Sequence, residues 1–222
     1  MAMCSLEKER AGRQDAARLF VRTEKAAFFI SPDSDSIRSS PQATISPAIL
    51  KMATRLASTR LEQATTALFV CDIQEKFVNA IHGFSHMANG SAKVIKGATI
   101  LNVPIFTTEQ NPKALGPTVS ILKDHIPSKD SPIIAKTRFS MVLPTGETEE
   151  FLKSKNIKSV MIVGIESHVC VLQTCLDLLA KGYGVWILRD CVSSCNKEEV
   201  PIAIEVRLIE SYRLGSMLIT AT

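Results

Sequence analysis

From residue 65 onward the chain repeats one rhythm, in which a short β-branched, apolar run ends in a polar residue and a stretch with helical apolar spacing follows. The runs Ala67–Cys71, Val103–Thr107, Pro132–Ala135, Ser159–Gly164, Val185–Arg189 and Ser216–Ile219 read as strands. Helical patterns fill most intervals, over Met87–Leu101, Glu147–Lys155, His168–Lys181 and Lys197–Leu214. Between His168 and Lys181, for example, Val169, Leu172, Cys175, Leu176 and Leu179 recur at three- and four-residue steps, and Gly182 supplies a stop. Strands that are apolar throughout must be covered on both faces, and strands separated by helices run parallel. The expected fold is a three-layer α/β/α sandwich around a mostly parallel, six-stranded, Rossmann-like sheet, in one domain over residues 61–222.

The first 60 residues differ. They are polar, with Ser and Pro scattered through Ser31–Pro47, and lack sustained apolar periodicity, so they read as a mobile extension. This segment also explains the formal charge of +4: residues 1–60 hold 10 Lys/Arg against 6 Asp/Glu, whereas residues 61–222 hold 16 of each. With one Trp, two Tyr and no basic run after residue 60, the domain lacks the signature of a nucleic-acid binder. Apolar runs stop at five or six residues, far short of the roughly 20 that span a bilayer, so no membrane association is expected. The six cysteines lie mostly in apolar segments of a chain too long to need staples, and free thiols in a reducing compartment fit that placement. A cytoplasmic location is expected. Glu7, Glu9, Asp15 and Glu24 break up the early basic residues of a mitochondrial address, although import is left open.

Ligands of a doubly wound sheet bind beyond the carboxyl ends of its strands. Three residues stand at such ends: Asp72 after the first strand, Lys136 after the third, and Cys170 a few residues beyond the fourth, in the first turn of a helix that Ser167 is placed to cap. Right-handed crossovers bring these ends to one edge, so the three converge although successive members lie 64 and 34 residues apart. A thiol at a helix N-terminus, a lysine that favours its thiolate and a carboxylate that accepts the proton make a nucleophile, an organiser and a base. Each also has an ordinary role: Asp in a turn, Lys in solvent, Cys in a core.

Three stretches carry a family resemblance: Leu68-Phe69-Val70-Cys71-Asp72-Ile73-Gln74-Glu75-Lys76-Phe77, Lys136-Thr137-Arg138-Phe139-Ser140-Met141, and Gly164-Ile165-Glu166-Ser167-His168-Val169-Cys170-Val171. In this order they resemble the signature blocks of the isochorismatase-like cysteine hydrolases. Thr107-Thr108-Glu109-Gln110 with Leu115-Gly116-Pro117-Thr118 looks like the subgroup of isochorismatase domain-containing proteins. The resemblance implies that Cys170 is the nucleophile, Asp72 its base and Lys136 the cation holding the pair. It also implies a cis peptide at Ile165–Glu166 and an oxyanion held by the backbone N–H groups of Glu166 and Cys170. Gln110 and Phe139 are candidates for lining the pocket, with packing or surface roles as the alternative.

Departures from the family narrow the function. Nicotinamidases place metal-binding histidines after the second strand, where this chain reads Glu109-Gln110-Asn111-Pro112-Lys113, so no metal and no cofactor are expected. His82, His86, His125 and His168 are scattered. Isochorismatases cleave a vinyl ether without a cysteine, so Cys170 points to acyl chemistry. The expected function is metal-independent hydrolysis of a small amide or related acyl compound, with a homo-oligomer left open. The alternative is a non-enzymatic interaction protein that retains the fold. A dinucleotide oxidoreductase ranks last, because no GxGxxG follows the first strand. The chain stops at Thr222, a few residues beyond the last expected strand, so it is either short or clipped. Because the extension lacks the apolar area to offset an ordering entropy of about 1–2 kcal/mol per residue, starting the protein at Met52 is expected to leave its thermal midpoint within a few degrees. A large drop would show that residues 1–51 dock on the core.

Overall fold

The six residues Thr66–Cys71 (β1) are buried without exception, as a strand with a covering layer on each face must be. A computed structural model of the chain describes residues 61–205. Within it β1 is the middle strand of a five-stranded, all-parallel sheet. The elements that follow are α1 (Phe84–Ile100), β2 (Ile105–Gln110), the single turns α2 (Pro112–Leu115) and α3 (Ser120–Lys123), and β3 (Ile133–Lys136). Then come α4 (Glu147–Ser154), β4 (Ser159–Ile165), α5 (Leu172–Ala180) and β5 (Gly184–Ser193), and a helix over 199–205 reaches the last described residue. The spatial order is β3-β2-β1-β4-β5.

The expected sandwich is present with five strands rather than six among the described residues. The sixth, Ser216–Ile219, and the extension over residues 1–60 lie outside them. No helix among the described residues is long and apolar enough to cross a membrane.

Alternation along β1 builds two cores. Ala67, Phe69 and Cys71 face the layer of α4 and α5, where Phe69, Phe106 and Phe151 stack with ring centroids 5.0 to 6.4 Å apart. Leu68 and Val70 face α1, packing with Phe84, Met87 and Ile95. The helix face follows the predicted spacing in part: Cys175 and Leu179 of α5 are inside as expected, but Leu176 is exposed and Leu178 is buried in its place, with Asp177 on the outer side.

The β1–β4 seam is unusually close at its carboxyl end. Gly164, opposite Cys71 in the register, has φ +129°, and a Cβ there would lie 2.1 Å from the Cys71 carbonyl oxygen. Both the backbone conformation and the space require glycine. Gly164→Ala is expected to cost about 3 kcal/mol or more through strain and overpacking. By contrast Gly97→Ala, in the last turn of α1 with nothing within 4 Å of its new Cβ, should gain about 0.5–1 kcal/mol. Urea unfolding of both variants checks the pair.

Candidate active site

The sheet's carboxyl edge lines up the sequence-predicted residues by register alone. Lys136 ends β3 opposite Gln110, Thr108 of β2 lies opposite Cys71, and Cys71 lies opposite Gly164. Asp72 follows β1 directly and adopts φ 51°, a left-handed turn that Asp tolerates better than most residues. One strand, β2, lies between β1 and β3, so two inter-strand spacings, roughly 10 Å, separate Asp72 from β3, and the lysine stem bridges that gap. Lys136 Nζ lies 2.6 Å from Asp72 Oδ2, with both side chains at most 1% exposed.

This ammonium is embedded in oxygen. Besides Asp72 it donates to Gln110 Oε1 (2.8 Å) and to the carbonyls of Arg138 (3.0 Å) and Phe139 (2.8 Å). The other carboxylate oxygen, Asp72 Oδ1, accepts from Thr108 Oγ1 at 2.8 Å. Gln110 is itself held: its Nε2 donates to Thr137 O (2.9 Å) and its backbone N–H to Gln74 Oε1 (2.7 Å). Gln110 is therefore a support of the ion pair, while Phe139 contributes a carbonyl and leaves its ring 39% exposed.

Cys170 reaches the same edge from β4. The peptide Ile165–Glu166 is cis, at the position the resemblance implied. Ser167–Val171 then forms a π-helical turn before α5, and the amides of Val169 and Val171, on either side of Cys170, both donate to the Glu166 carbonyl at 3.1 Å. Such turns occur often at functional sites. The expected cap by Ser167 is not made: Glu166 is the residue ahead of the turn, and Ser167 Oγ is buried with no partner among the described residues. Thr174 ties the turn down instead, donating to Cys170 O (2.6 Å) and accepting from the Met141 N–H (2.9 Å).

Cys170 is a free thiol, 2% exposed, and a second free thiol, Cys71 at the end of β1, is fully buried in the same core. Cys71 shares a buried layer with Cys170, and its sulfur lies 3.6 Å from Asp72 Oδ2. Burial first, then the contact with Cys170 and the charge of Asp72, push the Cys71 thiol well above its ordinary range. For Lys136 burial is the largest influence and acts downward, but Asp72, followed by Cys71 and Cys170, outweighs it and raises the lysine. Thr108, Gln74 and Cys71 were missed from sequence. The available signal was proximity to Asp72: Cys71 precedes it, Thr108 is the register partner of Cys71, and Gln74 lies two residues beyond Asp72.

Where nicotinamidases bind metal, this site is already committed. Glu109 Oε1 accepts from the Thr118 backbone and hydroxyl (2.7 and 2.8 Å), and the Gln110 side chain holds Lys136. These donors do not fit a cation beside a buried ammonium. Glu166, His168 and Glu199 bring one potential ligand atom each within 4.8 Å of one another. All three are engaged, Glu166 with the Cys195 N–H, His168 Nδ1 with Ser194 Oγ, and Glu199 with Asn196. His82 and His86 are exposed.

Both raised groups stabilise the folded state in one direction of pH. Each binds its proton more tightly when folded, so its contribution is complete below the ordinary value, 9.0 for a thiol and 10.5 for lysine, and is lost as pH rises toward and through the folded values. The thermal midpoint is expected to fall from pH 9 upward, more gently in Cys71→Ala. At pH 7, Lys136→Ala strands a buried carboxylate and should cost about 3–5 kcal/mol. A pH-independent midpoint between 8 and 11 would contradict this reading.

The isochorismatase domain matches residues 66–210. Isochorismatase family protein 1A of Dictyostelium discoideum is 47% identical over 148 residues, covering 65% of this chain and 71% of that protein. Isochorismatase domain-containing protein 2 of Xenopus laevis is 40% identical over 136 residues, 61% of this chain and 63% of that protein. Among solved structures, the MAR1 ribonuclease of Caenorhabditis elegans superposes with a TM-score of 0.65 at 40% identity, covering 72% of this chain and 79% of that one. A domain match that runs through nearly every described strand and helix, joined to relatives this similar, makes the chain a member of the isochorismatase-like hydrolase family.

Proposed function

We propose that this chain is a metal-independent cysteine hydrolase of small amides or related acyl compounds, working through Cys170, Asp72 and Lys136. The observation that carries the reading is the buried Lys136–Asp72 pair at 2.6 Å, with the Cys170 thiol close enough to raise the lysine. A buried ion pair is a poor source of net stability, so its presence at the ligand-binding edge of the sheet favours a chemical role.

Asp72 takes the proton of the Cys170 thiol as its sulfur attacks the substrate carbonyl. Lys136 balances the negative charge shared between sulfur and carboxylate. The N–H groups of Glu166 and Cys170 hold the oxyanion, an interaction for which one donor is commonly worth about 3–4 kcal/mol of barrier. Collapse expels the amine, which receives the proton from Asp72. Water, deprotonated by the same carboxylate, then releases the acid from the thioester.

A second reading follows from the MAR1 relative, whose name is that of a ribonuclease. Residues 61–222 balance 16 basic against 16 acidic side chains, which offers no surplus charge to a phosphate backbone. Small acyl substrates are therefore preferred.

Iodoacetamide at pH 7 is expected to label Cys170 faster than Cys175, and Lys136→Ala to slow that labelling. Asp72→Asn removes a like charge, so labelling persists while turnover falls. In a panel of small amides and RNA oligomers, amide turnover should survive chelation and vanish in Cys170→Ala. Turnover that persists in that variant, or that chelator removes, refutes the mechanism. A Cys170 that labels no faster than Cys175 favours the interaction-protein alternative.

A further inference from the structure

Cys71 has no part in the acyl chemistry, yet its thiol is fully buried against the groups that do. The alternation of β1 points Cys71 into the layer that contains Cys170, Val171 and Cys175. There the Cys170 side chain is the neighbour that acts on it most strongly after burial, and Asp72 Oδ2 lies 3.6 Å from its sulfur. Both cysteines are free thiols. Joining two thiols of one buried layer takes a sulfur–sulfur bond of about 2.05 Å. The two differ in character: Cys71 is an interior strand residue that burial keeps protonated, whereas Cys170 sits on a turn at the functional edge.

We propose that Cys71 is a resolving thiol for Cys170, so that a hydroperoxide converts the pair into a Cys71–Cys170 disulfide that reversibly removes the nucleophile. The inference rests on Cys170 being the reactive thiol of the function proposed above. In the first step the Cys170 sulfur attacks a peroxide oxygen; an S–O bond forms, the O–O bond breaks, and water or an alcohol leaves. Sulfur is oxidised by two electrons to a sulfenic acid, and the peroxide is reduced by two. In the second step the Cys71 sulfur attacks the Cys170 sulfur and gives its proton to Asp72 Oδ2, the carboxylate oxygen already facing it. The S–S bond forms, the S–O bond breaks, and the departing hydroxide takes that proton and leaves as water. A small dithiol reverses the process and is itself oxidised to a disulfide.

The arrangement assigns a consequence to each sulfur. A sulfenic acid without a thiol partner goes on to the sulfinic form, which small dithiols do not reduce. Cys71 intercepts it before that. Because Cys71 keeps its proton until Asp72 accepts it, it does not compete with Cys170 for peroxide. Cys175 belongs to the same layer but is not among the groups acting on Cys71, and Cys191 lies in the other core.

The test uses the full chain, treated with a few equivalents of hydrogen peroxide, quenched with N-ethylmaleimide and mapped without reduction. Trypsin leaves Cys71 in peptide 61–76 and both Cys170 and Cys175 in peptide 159–181, so fragment ions must place the link. The expected product is a cross-link between the two peptides at Cys170, about 2 Da lighter than their sum, and dithiothreitol should restore iodoacetamide labelling of Cys170. In Cys71→Ala and Cys71→Ser the link is absent, Cys170 accumulates a form about 32 Da heavier, and the dithiothreitol-recoverable fraction drops about tenfold. If either variant fails to fold, the wild-type map decides alone. A link to Cys175, no link, or equal rates of sulfinic formation in wild type and variants overturns the proposal. If the reduced wild-type Cys170 does not label at all, the hydrolase reading falls too; if it labels but never links to Cys71, only the redox pair falls.

Discussion

An ammonium with no access to water must be given oxygen, and much of this molecule's carboxyl edge is arranged around that requirement. Lys136 is surrounded by the Asp72 carboxylate, the Gln110 amide and the carbonyls of Arg138 and Phe139. Meeting it fixes β3 beside β2, turns the chain after Lys136 back over its own side chain, and presses Asp72 into a left-handed conformation so that its second oxygen meets Thr108. Gln74 bridges the backbone of Gln110 to Gly116, extending the same net into the loop after β2. A hydrophobic replacement of comparable volume would serve stability as well or better. The net is therefore more readily understood as holding a charge in position than as holding the fold together.

The fold was legible in the sequence to the extent that it depends on burial. Strands with both faces covered are written in continuous apolar residues, and five of the six expected runs are strands in the structure. Their ends were less legible, because ends are set by partners distant in sequence. Val103 was expected to open β2, but its N–H closes α1 on Ala98 and Pro104 has none to give, so pairing begins at Ile105 and runs on to Gln110. Arg189 appeared to end β5, yet the strand continues to Ser193 past the bulge opposite Ile162 and Gly164.

The site divides in the same way. Asp72, Lys136 and Cys170 could be found because topology alone brings strand ends together. The cis peptide entered only through the family resemblance, and the π turn had no signature of its own, since Val169, Leu172 and Cys175 satisfy an ordinary helical spacing equally well. Cys71 was read as core, and it is core; that its inward direction is also the direction of Cys170 depends on the depth at which β1 and β4 are aligned.

The contribution of Arg138 and Phe139 to the ammonium has a consequence for how such a domain diversifies. Both residues hold Lys136 by main-chain carbonyls, and any side chain supplies the same carbonyl. The Phe139 ring stands partly in solvent, and Arg138 reaches outward to Asp177 on the surface of α5. Two adjacent positions beside the ion pair are thus uncoupled from it: their backbones are constrained while their side chains are open to drift. A lineage could reshape the rim here, residue by residue, without passing through an intermediate in which the buried charge has lost its oxygens.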